Sequence, residues 1–97
     1  MKEKLTTTSD WSVESSLGWK VEILSVNALQ YEQDGKTIEL AIEDQPDAWG
    51  NLEWIIYPPP DWRWKNDQPV GQKQTAEILN RIGLAFWKLD LKIIEIV

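Results

Sequence analysis

Ala28-Leu29-Gln30-Tyr31-Glu32-Gln33-Asp34-Gly35-Lys36-Thr37-Ile38-Glu39-Leu40-Ala41-Ile42-Glu43 is the stretch that decides the fold. Two runs meet at Asp34-Gly35, and in the second Ile38, Leu40 and Ile42 alternate with Thr37, Glu39, Ala41 and Glu43. Successive side chains of a strand point to opposite faces, so the alternation predicts one buried and one solvated face. Asp-Gly suits a two-residue turn between antiparallel strands, because both central positions need positive φ, which glycine takes freely and aspartate tolerates. The stretch reads as a β-hairpin.

Upstream, Trp19-Lys20-Val21-Glu22-Ile23 alternates in the same way before Leu24, Ser25 and Val26 blur the register, as a bulge near Leu24 would. Residues 1–10 are polar and aperiodic, which predicts a loose N-terminal arm or a late-ordering strand outside the core. Downstream, residues 44–50 form a loop through Pro46 and Gly50, and residues 51–57 a further strand. Leu52, Trp54 and Ile56 share one of its faces, and Glu53, Ile55 and Tyr57 the other. Pro58-Pro59-Pro60 ends that strand, removing three donors and fixing φ in a stiff, extended spacer that presents Asp61-Trp62-Arg63-Trp64.

Turn residues at 65–71 lead into a helix over 72–89. Ile78, Leu79, Ile82, Ala85, Phe86 and Leu89 recur on one face, while Gln74, Glu77, Asn80, Arg81 and Lys88 cover the opposite side. Gly83 inside the helix predicts close approach of the sheet. The isoleucine-rich residues 91–97 read as a last strand suited to burial on both faces. The fold class is α+β: an antiparallel sheet of about five strands with one long helix from the C-terminal half packed on one face, in two layers. The last strand's neighbour is left open, because a helix between two strands often signals a parallel crossover. The length of 97 residues suits a single domain, 1–97.

The chain has no cysteine and no histidine. That removes disulfides, thiolate and imidazole metal ligands and the usual nucleophile–base pairs, and points to a protein that is not an enzyme and carries no cofactor. Glu43, Asp44 and Asp47 are the acids closest to a cation loop, but they lack the regular alternate ligands and closing glutamate of a calcium hand, so no metal is expected. The N-terminal residues show no apolar run of signal-peptide length, and no stretch approaches the roughly 20 apolar residues that span a bilayer, so a soluble, cytoplasmic protein is expected.

Charge is the strongest functional cue. Of 16 carboxylates, eight fall between Glu32 and Asp61, where Lys36 is the only base, in a chain of net charge −6. Clustered acid speeds and orients docking to a basic partner, although an acidic face also simply keeps a small domain soluble. The candidate partner-binding acids are Glu39, Glu43, Asp44, Asp47 and Asp61, with Trp49, Trp62 and Trp64 as aromatic anchors and Arg63 as a charged fork. Trp62-Arg63-Trp64 has two readings: both tryptophans over the core with Arg63 outside, or an interface hot spot held out by the prolines. The expected division makes Trp64 structural and exposes Trp62. Direct nucleic-acid binding is not expected, since the ten basic residues are scattered.

Tyr31 to Leu40 resembles the first hairpin of small bacterial immunity proteins from polymorphic toxin systems, in particular the immunity protein 74 family. Glu43, Ile55-Ile56-Tyr57, Trp64 with Pro69, Ile78 to Ile82 and the segment from Ile93 to Val97 are similar in order over residues 28–97, whereas the proline run and the N-terminal part depart from the pattern. The resemblance implies cytoplasmic neutralisation of a cognate toxin, such as a basic nuclease domain, by tight binding. Alternatives are a phage or mobile-element inhibitor that mimics nucleic acid, a carbohydrate-binding module with exposed tryptophans as stacking platforms, and a non-catalytic subunit of a larger complex.

Overall fold

Asp34 and Gly35 both take positive φ, 52° and 76°, in the computed structural model, which describes residues 2–97. They close the expected hairpin between β4 (Ala28–Gln33) and β5 (Lys36–Pro46), in which Tyr31 stands opposite Ile38 and Leu29 opposite Leu40. β3 (Trp19–Ser25) pairs with the other edge of β4, with a register shift between Ile23 and Ser25 where Leu24 forms the expected bulge. β6 (Leu52–Tyr57) pairs antiparallel with β5.

The sheet has seven strands rather than about five, because β1 (Leu5–Ser9) and β2 (Ser12–Ser15) extend it beyond β3. β1 is an edge strand whose residues after Leu5 are exposed, so it carries no alternation for a burial pattern to show. It is not a loose arm. Glu3 accepts the Trp19 indole N–H at 2.8 Å, Lys4 and Ser16 exchange hydrogen bonds, and Leu5 packs on the core. Ser12, 3% exposed, is satisfied by the hydroxyls of Thr8 and Ser9 at 2.6 and 2.7 Å. The next residue, Val13, is fully buried.

The helix α1 spans Gln72–Lys88 and the last strand β7 spans Lys92–Ile96. β1 to β6 form an antiparallel meander in chain order, and β7 returns parallel to β6 through the helical crossover. The α1 helix lies against β7 and also against β1, β2 and β3, so the sheet curls round it from both edges. Ile78, Ile82, Ala85 and Phe86 are its buried residues. They meet Val13, Trp19, Val21, Leu29, Tyr31, Leu40, Trp54 and Ile56 from the sheet in one core cluster. Two expectations fail. A Cβ on Gly83 would meet nothing within 4 Å, so the sheet does not approach there. β7 is not buried on both faces: it is the edge of the sheet, with Ile94 and Ile96 exposed at 44% and 47%.

After Tyr57 the proline run cannot donate to the neighbouring ladder, and strand pairing with β5 stops. The chain still follows the edge of β5: the Lys65 N–H donates to the Thr37 carbonyl at 2.8 Å. A small closed loop forms where Val70 N–H donates to Trp62 C=O and Trp64 N–H to Gln68 C=O. This places Trp64 in the core, stacked on Tyr31, which is stacked in turn on Trp19, with ring centroids 6.2 and 6.3 Å apart. Lys36 lies over the Trp64 ring and Arg81 over the Trp19 ring, giving the aromatic column a cation at each end. Among the described residues no helix is long and apolar enough to cross a membrane.

Candidate functional site

Pairing register decides which acids share a surface. Because Ile38, Leu40 and Ile42 face the helix, Glu39 and Glu43 must face away from it, and the strand partners extend that outer face in rows. One row runs Glu14, Lys20, Glu32, Thr37, and the next Ser12, Glu22, Gln30, Glu39. Further along β5 come Ala28, Ala41 and Tyr57, then Glu43, Ile55 and Glu95, then Gln45, Glu53 and Lys92. Lys20 and Lys92 are the only bases in these rows, and Lys92 is held by Glu53 at 3.2 Å. Neighbouring strands lie about 4.8 Å apart and residues of one face about 6.6 Å apart along a strand, so the glutamates form a rigid grid.

Within the grid Ile55 is 6% exposed although it lies on the face away from the helix. Beside it the Tyr57 hydroxyl donates to Glu43 at 2.7 Å. That hydrogen bond to the carboxylate raises the Tyr57 pKa above its usual value, with desolvation and the charges of Glu43 and Glu95 acting in the same direction. Tyr57 therefore stays neutral and fixes the direction of the Glu43 carboxylate. Glu43 is thus an oriented acid on the outer face, placed to meet a matching base.

The sequence-predicted residues fall into separate places. Glu39 and Glu43 lie on the outer face. Glu39 also lines a hollow of about 390 Å³ with Ile38, Pro59, Asp61, Arg63 and Lys65, so Glu39, Asp61 and Arg63 are brought together. There Asp61 accepts from Arg63 Nε at 2.7 Å, and this pairing raises the pKa of the guanidinium. Arg63 also donates to the Asp67 carbonyl at 3.1 Å. Trp62 is half-buried against the core rather than projected, so the spacer does not present it as a free anchor.

Asp44 stands opposite Trp54, on the helix side, because one residue step along a strand reverses the face. Asp47 closes the loop between β5 and β6, accepting from the N–H groups of Trp49 and Asn51 at 2.8 and 2.9 Å. Those bonds, that of Asn51 foremost, lower its pKa. Trp49, 85% exposed, sits at the tip of the same loop. From Ile38 to Pro46 the strand advances about 26 Å, so Trp49 and Asp47 lie at the opposite end of β5 from the Asp61–Arg63 pair. The candidates therefore do not form one site. Among the described residues, no group of three or more acids converges as metal ligands would.

Glu14, Glu22 and Glu95 join the face from outside the acidic segment, and Glu53 from within it. The alternation of Lys20 and Glu22 with buried neighbours marks the outer side of β3, but only strand order sets it beside Glu39. No protein-family model, no curated protein and no solved structure matches the chain.

Proposed function

We propose that the protein is a non-catalytic inhibitor that docks a basic protein through the outer face of its sheet, an immunity protein of the kind its hairpin resembles. The observation that carries this reading is the grid of glutamates on the outer face, in which Glu22, Glu39 and Glu43 fall on one surface, with Lys20 and Lys92 the only bases in its strand rows and Arg63 and Lys65 beside Glu39 at its margin. A nuclease cleft shaped for phosphates offers lysines and arginines, and carboxylates held at strand spacing complement them without conformational change on binding. At the margin the Arg63 guanidinium, with Nε on Asp61 and Nη1 on the Asp67 carbonyl, keeps Nη2 to donate to a carbonyl of the partner. The absence of histidine and cysteine from the chain leaves occlusion as the natural mode of action.

The test is co-expression, in a sensitive cytoplasm, with the products of the genes that neighbour this one. The reading expects survival with the parent chain and killing when Glu22, Glu39 and Glu43 are changed together to glutamine. Killing with the parent chain, or equal survival with the variant, would refute it. A basic partner that the chain displaces from nucleic acid, with no toxic activity of its own, would favour the mobile-element inhibitor instead.

A further inference from the structure

We propose that the chain forms a two-fold symmetric dimer through α1 and β7, with Trp87 of each copy seated over Gly83 of the other. Trp87 is 72% exposed on α1, and the apolar surface continues onto Ile94 and Ile96 of β7. Beside it a hollow of about 450 Å³ is lined by Gly83, Trp87, Ile94 and Ile96, and an adjoining one of about 350 Å³ shares Gly83 and Ile96 and adds Leu79 and Leu84. Gly83 floors both. Glycine is the least favourable helix-interior residue after proline, and nothing in this copy comes within 4 Å of where its Cβ would be. The missing side chain serves no packing within one chain, but it leaves room for a large side chain from outside.

Knob and hole stand four residues apart, on the same face of the helix. A two-fold axis perpendicular to α1 and passing beside it at the level of residue 85 carries Trp87 of each copy onto Gly83 of the other, which is the self-complementarity an isologous interface requires. Charge agrees. Two copies of net charge −6 repel wherever their acids meet, but Lys88 balances Asp90 beside this patch and Lys92 balances Glu95 along the edge strand, while Glu22, Glu39 and Glu43 lie on the face of the sheet turned away from α1. The register shift of β7 between Ile93 and Glu95 interrupts its ladder and disfavours edge-to-edge pairing, leaving the helix side as the contact. This dimer does not depend on the inhibitory reading.

Sedimentation equilibrium from micromolar to near-millimolar chain tests it, with circular dichroism reporting folding. The parent is expected to be dimeric, Trp87→Ala and Gly83→Leu to weaken association about 30-fold or more, and Trp49→Ala, an exposed tryptophan elsewhere, to leave it unchanged. Gly83→Ala is the conservative check: with open space around it, it should raise thermal stability of the monomer while weakening the dimer. A monomeric parent, a dimer indifferent to either Trp87→Ala or Gly83→Leu, or one equally weakened by Trp49→Ala would overturn the proposal.

Discussion

Arg81 on α1 donates through Nη1 to the hydroxyl of Tyr31 at 2.8 Å, joining the helix to the middle of the sheet across 50 residues of chain. Tyr31 is fully buried and also donates to Gln33 Oε1 at 2.7 Å, while Arg81 is held by Glu77 at 3.0 Å and lies over Trp19. One guanidinium thus orients the core tyrosine and caps the aromatic column. The helical pattern placed Arg81 on the solvent side, and its long side chain reaches back over the edge of the core.

Replacing Arg81 with methionine keeps the apolar stem and removes the donor. Hydrogen bonds from a charged donor contribute about 1.5–3 kcal/mol, so urea unfolding should show a loss of about 2 kcal/mol. Arg81→Lys should recover only part of it, because an ammonium lacks the planar fork. An unchanged midpoint for Arg81→Met would mean that the contact is incidental.

Burial raises the Tyr31 pKa from its ordinary 10.0, outweighing the opposing hydrogen bond and charge of Arg81. A folded pKa above the unfolded one contributes stability that is complete below the unfolded value and lost as pH rises through the folded value. The melting temperature should therefore decline above pH 10.0. The decline should be shallower in Tyr31→Phe, measured on the same buffers; equal slopes for parent and variant would contradict the assignment.

Trp64 and Trp62 should separate on truncation. Trp64 is 3% exposed and stacked in the aromatic column, so Trp64→Ala should cost about 3–5 kcal/mol, enough to unfold much of the population at 37 °C. Trp62 is half-buried at the core margin and should cost about half as much. Equal losses in thermal denaturation would show that the 62–70 loop packs as one unit.

Trp19 and Trp54 are equally buried, at 1% exposure, but differ in polarity of environment. The Trp19 indole N–H is bonded to Glu3, whereas that of Trp54 has no partner among the described residues. An unsatisfied buried donor costs about 1–3 kcal/mol, which Trp54→Phe would relieve against its loss of volume. Trp54→Phe should thus be milder than Trp19→Phe in guanidinium titrations, and the reverse order would sink the comparison.

The hairpin was legible because its signals are local: Asp34-Gly35 accepts positive φ, and the alternation from Thr37 to Glu43 is uninterrupted. β1 was legible only as one of two alternatives for residues 1–10, because Thr6 to Ser9 lie exposed on an edge where no face is buried. β7 misled in the opposite sense. Its isoleucines suggest a central strand, and only the crossover from β6 makes it the edge. Parity correctly grouped Glu39 with Glu43, but the density of acid along the chain drew in Asp44, which faces the helix, and Asp47, whose carboxylate closes its own loop. Glu14 and Glu22 reach the same face by strand pairing, which a count along the sequence does not weigh.

Glutamates crowded on one face repel one another, so a grid kept for docking should be neutral or slightly costly to the isolated fold. Changing Glu22, Glu39 and Glu43 together to glutamine should leave the melting temperature unchanged or raised. Stopped-flow association with the basic partner identified by co-expression is the most direct measurement, made at low and high salt. The account predicts a rate for the parent that falls steeply as salt rises, since screening acts over about 10 Å at 0.1 M, and a rate for the triple variant about 10-fold lower at low salt and nearly insensitive to it. Identical association rates for parent and variant across that range would contradict the claim that the outer face of the sheet is the docking surface.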